Sequence, residues 1–495
     1  MDKQANLKLS VQNFGPVIEG EFELKPLTIF IGPNNSGKSY MALLVYALCQ
    51  AMSGRPQRLS PLIQFSRTFS RLKESEKIHK EFLDWQGSLR SQGRLNWNNL
   101  LWRELPPNVQ QVFRELIGNL LTVLERDLDE AIQDYFSCED LKELIRQTSM
   151  EQQSLVVHLN EWANRPPLLT LRLGLGNEKW NVGWAMPDLS SLRISIPDEE
   201  NLDFSGITYY PPRIFISAIW RQLIAANGFP EGEAHYLPLP RATLFQNWQL
   251  FASLAVQMMR RRVGLDRIEM PPFTGVAGDF LQVLLERLLQ YPRQRQDLKP
   301  MAPALEVLEG QVFEGEVDIE EITAERPLIL YKSGNLQLPL QRASSMVGEL
   351  APLDLWIKSL LNPGDLLIID EPEAHLHPEN QLRIARVLIR LMRAGVRVLV
   401  TTHSSMILHQ ISNHLLATEA DPKVREEMDF NEHDLLKPDE VGVYLFDKAG
   451  GSRISAVPIE PGFGISEEEF VRVAEAIGDE TFRLSMALPN RDGDS

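Results

Sequence analysis

Hydrophobic and polar positions along this chain change period several times. Leu7-Lys8-Leu9-Ser10-Val11 alternates with period two and predicts a strand, and Asn13-Phe14-Gly15-Pro16 reads as a turn. A second alternating run, Phe22-Glu23-Leu24, leads into Leu27-Thr28-Ile29-Phe30-Ile31. That last run is almost wholly apolar, as expected for a strand buried on both faces of a sheet. A glycine-rich loop follows, and then a helix is predicted over 38–52. From about 53 to 165 the spacing is mainly helical: Val109, Phe113, Leu116, Leu120 and Leu124 step by three or four, just after the break at Pro106-Pro107. Strand patterns return with Leu169-Thr170-Leu171-Arg172-Leu173 and Leu192-Arg193-Ile194-Ser195-Ile196. Helices are expected near 242–262 and 276–291, and strands and turns over 311–341. The last third alternates strand 366–369, a helix from Pro378, strand 396–401 and another helix, which predicts a parallel sheet with crossover helices. The expected organisation is an α/β core split between 1–50 and 325–495, with 51–324 a large, mainly helical insertion that includes some strands.

Composition narrows the class. The chain has 495 residues, 43 % hydrophobic and 24 % charged, which suits a globular protein with a sizeable core. Two cysteines, Cys49 and Cys138, make no disulfide framework and fit a reducing compartment. Met1-Asp2-Lys3-Gln4-Ala5-Asn6 opens no secretion segment, and no run approaches the ~18 apolar residues of a membrane helix. A cytoplasmic protein without membrane association is the expectation. The net charge is −17, of which residues 411–495, with 19 acidic and 8 basic side chains, hold most. This is not the footprint of a protein coated for DNA, although short basic clusters at Arg260-Arg261-Arg262 and at Arg293 with Arg295 leave a DNA contact open.

Candidate chemistry starts at Gly32-Pro33-Asn34-Asn35-Ser36-Gly37-Lys38-Ser39, which fits G-x-x-x-x-G-K-[ST] between a predicted strand and a predicted helix. Gly32 and Gly37 allow the backbone to curl so that successive N–H groups face phosphates, and the helix N-terminus adds positive potential. Lys38 would reach the β- and γ-phosphates, and the Ser39 hydroxyl is placed for Mg2+. Tyr40, next in the chain, completes the candidate nucleotide-binding set. Leu366-Leu367-Ile368-Ile369-Asp370-Glu371 is an apolar strand ending in two acids. Asp370 is placed to hold Mg2+ through its water shell, and Glu371 to accept a proton from the attacking water. A second strand ends Thr401-Thr402-His403, where an imidazole could hydrogen-bond the γ-phosphate. Ala343-Ser344-Ser345-Met346-Val347-Gly348-Glu349 precedes a helix; its serines and Gly348 suit both an N-cap and an anion contact. His375 and His377 form an H-x-H that suggests zinc, but no further Cys/His cluster has ligand spacing, and packing in the turn is the preferred reading.

Taken together, these motifs resemble the ABC-type ATPase heads of the SMC, RecF and OLD kind, an AAA-family group of prokaryotes. Asp370-Glu371-Pro372-Glu373-Ala374-His375-Leu376-His377-Pro378 is similar to the D/E-E-P-E-x-H-L-H-P string of OLD-like ATPases, and Asn13-Phe14-Gly15-Pro16 belongs to the same pattern. The resemblance covers roughly 5–50 and 325–460. It implies a P-loop NTPase head with Lys38, Glu371 and the switch His403 as catalytic residues, Ser39 and Asp370 on Mg2+, and ATP as substrate. It also implies that Ser344, Ser345 and Gly348 meet the γ-phosphate held by a second subunit, and hence a homodimer or higher homo-oligomer through the heads. Met346 stands where relatives often have glycine. Gln246 is a candidate for the Q-loop glutamine, and Tyr236-Leu237-Pro238-Leu239-Pro240-Arg241 resembles a recurrent Y-x-P-x-x-R element. Its arginine suits a phosphate, a subunit contact or a salt bridge. Many members serve phage defence or toxin-like systems, so a separately encoded effector is the expected partner. The C-terminal stretch holds strands at 441–446 and 454–459 and one amphipathic helix over 466–488, so the nuclease domain of OLD proteins is not expected. Two alternatives remain: a RecF- or SMC-like DNA-repair ATPase, and a non-hydrolysing ATP-binding scaffold.

Overall fold

The computed structural model describes residues 6–53, 100–138, 228–247 apart from 240, 275–288, 300–321, 327–448 and 451–466, with shorter segments between. Eleven strands form one sheet. In chain order they are β1 (Leu7–Phe14), β2 (Val17–Leu24), β3 (Leu27–Ile31), β4 (Ser154–Leu159), β5 (Leu169–Gly174), β6 (Asn181–Trp184), β7 (Ala234–Leu237), β8 (Leu366–Asp370), β9 (Arg397–Thr401), β10 (Val441–Asp447) and β11 (Ser452–Ala456). Across the sheet the order is β6-β5-β4-β1-β2-β11-β10-β3-β9-β8-β7. The run β10-β3-β9-β8-β7 is parallel throughout. The run β6-β5-β4-β1-β2 is antiparallel. Strand β11 joins the halves, antiparallel to β10 and parallel to β2. The fold is therefore α/β, as expected, and the parallel run with its crossover helices is one half of a mixed sheet.

The apolar runs follow from burial on both faces. In β8, Leu366 and Ile368 point into one core and Leu367 and Ile369 into the other. In β3, Phe30 faces the first core, and Leu27, Ile29 and Ile31 face the second. Helices α1 (Lys38–Ser53) and α2 (Pro107–Phe136) cover the first face through Met41, Val45, Leu48, Ala131 and Ile132. The second is covered by α5 (Ser345–Ser359), α6 (Pro378–Arg393) and α7 (Ser405–Glu419); α3 (Arg241–Gln246) and α4 (Gly275–Leu288) pack on the same side. Helix α6 shows the two-faced pattern plainly, with Ile384, Val387, Leu388 and Leu391 buried and a cap at His377.

The stretch 51–324, expected as a mainly helical insertion with some strands, supplies four of the eleven strands, β4 to β7. Residues 154–159, where the spacing predicted helix, form β4, which pairs with β1 and covers an edge that would otherwise be open. Val156 and Val157 suit that role. At the opposite end β7 pairs with β8. Helix 242–262 is seen as α3; residues 248–262, with Arg260-Arg261-Arg262, and also Arg293 and Arg295, lie outside the described residues. So does most of the helix expected over 466–488.

Register brings the site together. Asp370 of β8 stands opposite Thr401 of β9, and Thr401 opposite Phe30 of β3, so the C-terminal ends of three parallel strands are level. Open α/β sheets place ligands at that edge.

Candidate functional site

The loop Gly32–Gly37 links β3 to α1. Gly32 has φ +136° and Gly37 φ +99°, conformations that L side chains rarely adopt. Space closes both positions as well: a Cβ would lie 2.5 Å from the Phe446 carbonyl oxygen at Gly32 and 2.8 Å from Pro16 Cγ at Gly37. Pro33, Asn34, Asn35 and Ser39 are exposed, whereas Ser36 is fully buried and its hydroxyl has no hydrogen-bond partner among the described residues. Lys38 is 5 % exposed and folds back over the loop, its Nζ donating to the carbonyls of Gly32 (2.9 Å) and Pro33 (3.0 Å). Burial pulls its pKa down to about 8, against the pull of Glu371, Glu373 and Asp370. The Tyr40 ring packs against Phe14 and Phe136, with centroids 5.1 and 4.6 Å away, and is partly buried at the edge of the first core.

Asp370 ends β8 and is buried. Its Oδ2 accepts from the Tyr236 hydroxyl at 2.6 Å and its Oδ1 from Thr401 Oγ1 at 2.8 Å, and the nearby Ser39 hydroxyl also favours its charged form. Burial raises the Asp370 pKa, and these three hydroxyls oppose the shift. The Tyr236 hydroxyl is pushed well above its usual range by burial and by Asp370, so it remains a donor. Glu371 has φ +46°, a left-handed conformation that costs roughly 1–2 kcal/mol for a residue with a Cβ. Its N–H donates to the Thr401 carbonyl at 2.9 Å. Such strain, where the surroundings hold it, marks functional positions.

His403 Nε2 lies 3.6 Å from Glu371 Oε1, beyond hydrogen-bond reach, and each side chain is 31 % exposed. Burial first, and then Lys38, lower the His403 pKa from 6.5, which keeps the imidazole neutral at pH 7. Its backbone is held by Glu373, whose Oε1 accepts from Thr402 Oγ1 and from the His403 N–H, both at 2.7 Å. Sequence reasoning assigned no role to Glu373, Thr401 or Thr402. Thr401 and Thr402 end an apolar strand, which is the one local signal for them.

Arg241 takes the salt-bridge alternative. It is 1 % exposed; Nη1 donates to the Asp370 carbonyl (2.6 Å), Nη2 to the Glu371 carbonyl (3.0 Å) and Nε to the Glu349 carbonyl (3.2 Å). Nη2 also lies 2.9 Å from Glu349 Oε1, a close ion pair without an aligned N–H.

Ser344 is the N-cap of α5, its hydroxyl accepting from the Val347 N–H at 3.3 Å. Ser344 and Ser345 are exposed. Gly348 is buried under Gln246, whose amide nitrogen would lie 2.3 Å from a Cβ there. Gln246 therefore packs against the start of α5. His377 caps α6 through Nδ1, which accepts from the Glu379 N–H at 3.4 Å, and His375 turns the chain at φ +61°.

The donor set fits a nucleotide with a hard divalent ion. Ser36 Oγ, within this curled, glycine-closed loop, is a buried polar atom without a partner among the described residues. Ser39 and Asp370 are neighbouring hard oxygen ligands, and Mg2+ commonly takes few protein ligands and completes its shell with water and phosphate oxygens. Among the described residues no group of three or more His, Cys, Asp and Glu is placed to hold a metal by itself, and no helix is long and apolar enough to cross a membrane.

Comparison with known proteins adds to this. FtsE, the cell division ATP-binding protein of Streptococcus pneumoniae, is 33% identical over 70 residues, which are 14% of this chain and 30% of that protein. Nod factor export ATP-binding protein I of Cupriavidus metallidurans is 38% identical over 69 residues, 14% of this chain and 23% of that protein. The chain thus spans under a third of the length of these curated relatives. The Smc head domain of Pyrococcus furiosus, solved with an extended coiled coil and bound to the C-terminal domain of ScpA, aligns with 96% of this chain and 99% of that chain, at 12% identity and TM-score 0.39. Residues 322–408, the segment carrying Ser344, Asp370, Glu371 and His403, match the family described as "AAA domain, putative AbiEii toxin, Type IV TA system".

Proposed function

We propose that this protein is a Mg2+-dependent ATPase whose heads join on ATP and separate on hydrolysis. The observation that carries the reading is the meeting, at one sheet edge, of a buried phosphate-loop lysine, the Ser39–Asp370 pair and the Glu371–His403 pair. The match of 322–408 to an AAA domain, and two relatives that are ATP-binding proteins by name, support it. The loop N–H groups, Lys38 and the start of α1 hold the phosphates. Ser39 and Asp370 hold Mg2+, which supplies charge neutralisation at the phosphate oxygens. Glu371 orients a water and takes its proton as the water oxygen bonds to the γ-phosphorus; the bond from that phosphorus to the bridging oxygen breaks, and ADP and phosphate leave. The neutral His403 hydrogen-bonds the γ-phosphate from the neighbouring strand end. The exposed Ser344 and Ser345 at the start of α5 meet the nucleotide of a second copy, with Gly348 behind them under Gln246. The switch regulates a separately encoded effector in prokaryotic defence; the toxin–antitoxin wording of the matched family supports that context.

The test is phosphate release from ATP by the purified protein, with Mg2+ and with chelator. Turnover that needs Mg2+ is expected. ATP binding with no turnover at any Mg2+ concentration would favour a scaffold instead.

Lys38 gives this reading a pH signature. The free ammonium loses its proton near pH 8. A bound polyphosphate favours the charged form and raises that pKa, so binding is strongest below about 8 and weakens above it. The Kd for ATP should rise by up to roughly tenfold per pH unit above that point. Calorimetric titration from pH 7 to 9.5 checks it, and a flat profile would exclude Lys38 as the titrating contact.

Tyr236→Phe removes a donor from Asp370 without touching the loop. The Mg2+ concentration for half-maximal turnover should rise about tenfold or more, the usual cost of losing a group that orients a metal ligand. A Mg2+ titration of phosphate release reads this directly.

A further inference from the structure

We propose that Arg241 is a positioning residue that couples the start of α5 to the catalytic Glu371, an inference that rests on the ATPase reading above. Burying a guanidinium is costly and is repaid only when its donors and charge are matched. Besides a long bond to the nearby Pro238 carbonyl (3.4 Å), the donors go to main-chain carbonyls of two distant segments. One is Glu349, the residue after Gly348 on α5; the other is the pair Asp370 and Glu371. The Glu349 carboxylate, 2 % exposed, is also the close charge partner at 2.9 Å. The guanidinium thus clamps the peptide units on which the metal ligand and the proton acceptor stand. Glu371 sits in a left-handed conformation, so its side-chain direction depends on how those units are held. Strand β7, just before α3, supplies Tyr236 to the Asp370 carboxylate, so Tyr236 and Arg241, five residues apart, fix the side chain of Asp370 and the backbone of Glu371.

The consequence is a mechanical link. A displacement of the α5 N-terminus, where the second copy's nucleotide engages Ser344 and Ser345, moves Glu349. Arg241 follows its ion pair and carries the 370–371 peptide with it. Occupancy of one composite site is thereby felt at the Glu371 of the other.

Two variants test this: Glu349→Gln, which keeps size and removes the charge, and Arg241→Lys, which keeps a charge that cannot span both segments. The first readout needs no nucleotide. Hydrogen exchange over 369–376 should be faster in Glu349→Gln than in wild type, although the substitution lies on another helix; unchanged exchange there overturns the coupling. The second readout is the split between binding and turnover. The kcat should fall roughly tenfold to a hundredfold, as for a small misplacement of a reacting group, while the Kd for ATP stays within about threefold of wild type. The double variant should be no slower than the slower single one, since both cut the same link. Equal losses in Kd and kcat, a melting temperature that collapses, or additive effects would reduce Arg241 to a structural ion pair. If wild type releases no phosphate while exchange over 369–376 still responds to Glu349→Gln, the ATPase reading falls and the link stands.

Discussion

Glu371→Gln is expected to bind ATP within about threefold of the wild-type Kd and to release phosphate roughly 10²–10⁴-fold more slowly, the usual contribution of a positioned general base. The amide keeps the shape and the main-chain bonds that fix this residue, which run through the Glu371 N–H and carbonyl and do not involve its side chain. Only the proton acceptor is lost. With hydrolysis blocked, the ATP-bound heads should stay joined, so light scattering should give twice the protomer mass with ATP and the smaller value with ADP. A mass unchanged by ATP in this variant would contradict head-to-head closure.

Lys38→Met should bind ATP about 10- to 150-fold more weakly, the equivalent of one charged hydrogen bond of about 1.5–3 kcal/mol. Its stability should move the other way. Lys38 is buried with its pKa drawn down to about 8, so the folded state disfavours the ammonium at pH 7. The unfolded chain carries the ordinary lysine pKa and therefore binds more protons between about 8 and 10.5, so stability is lowest below 8 and rises with pH across that window. An apolar side chain of similar length removes this penalty. The melting temperature without nucleotide should be equal or higher in Lys38→Met, and that shift should shrink as pH rises above 8. Calorimetric titration and thermal melts at pH 7 and 9.5 check the pair of effects. A variant that loses ATP binding and also melts lower would point to loop collapse.

Much of the site is legible in the chain because its parts are local. Gly32–Ser39 is a contiguous pattern whose flanking strand and helix are also readable, and the structure closes Gly32 and Gly37 to any side chain. Asp370-Glu371 follows an apolar run that has to be a buried strand, and register then sets Asp370 level with Thr401. What the chain hides is what acts across long separations. Tyr236 and Arg241 reach Asp370 and Glu371 over 129 to 134 residues, and nothing local says that a strand at 234–237 will add itself beside β8. The same gap explains β4: Ser154–Leu159 lies in a stretch of helical spacing and becomes strand because β1 offers it an edge. Tyr40 follows the loop in sequence, yet its ring is drawn into the Phe14 and Phe136 cluster by its place on α1. Gln246, the candidate Q-loop glutamine, lies on Gly348, a contact that no local pattern announces.

If Glu371 stands over phosphate held by the Lys38 loop, the nucleotide that stays on the protein depends on its carboxylate. Wild type and Glu371→Gln would each be incubated with ATP and Mg2+, passed rapidly through a desalting column, and their bound nucleotide identified. Intact ATP is expected on Glu371→Gln, and ADP or no nucleotide on wild type. ADP on Glu371→Gln, formed as fast as on wild type, would exclude Glu371 as the group that activates the water.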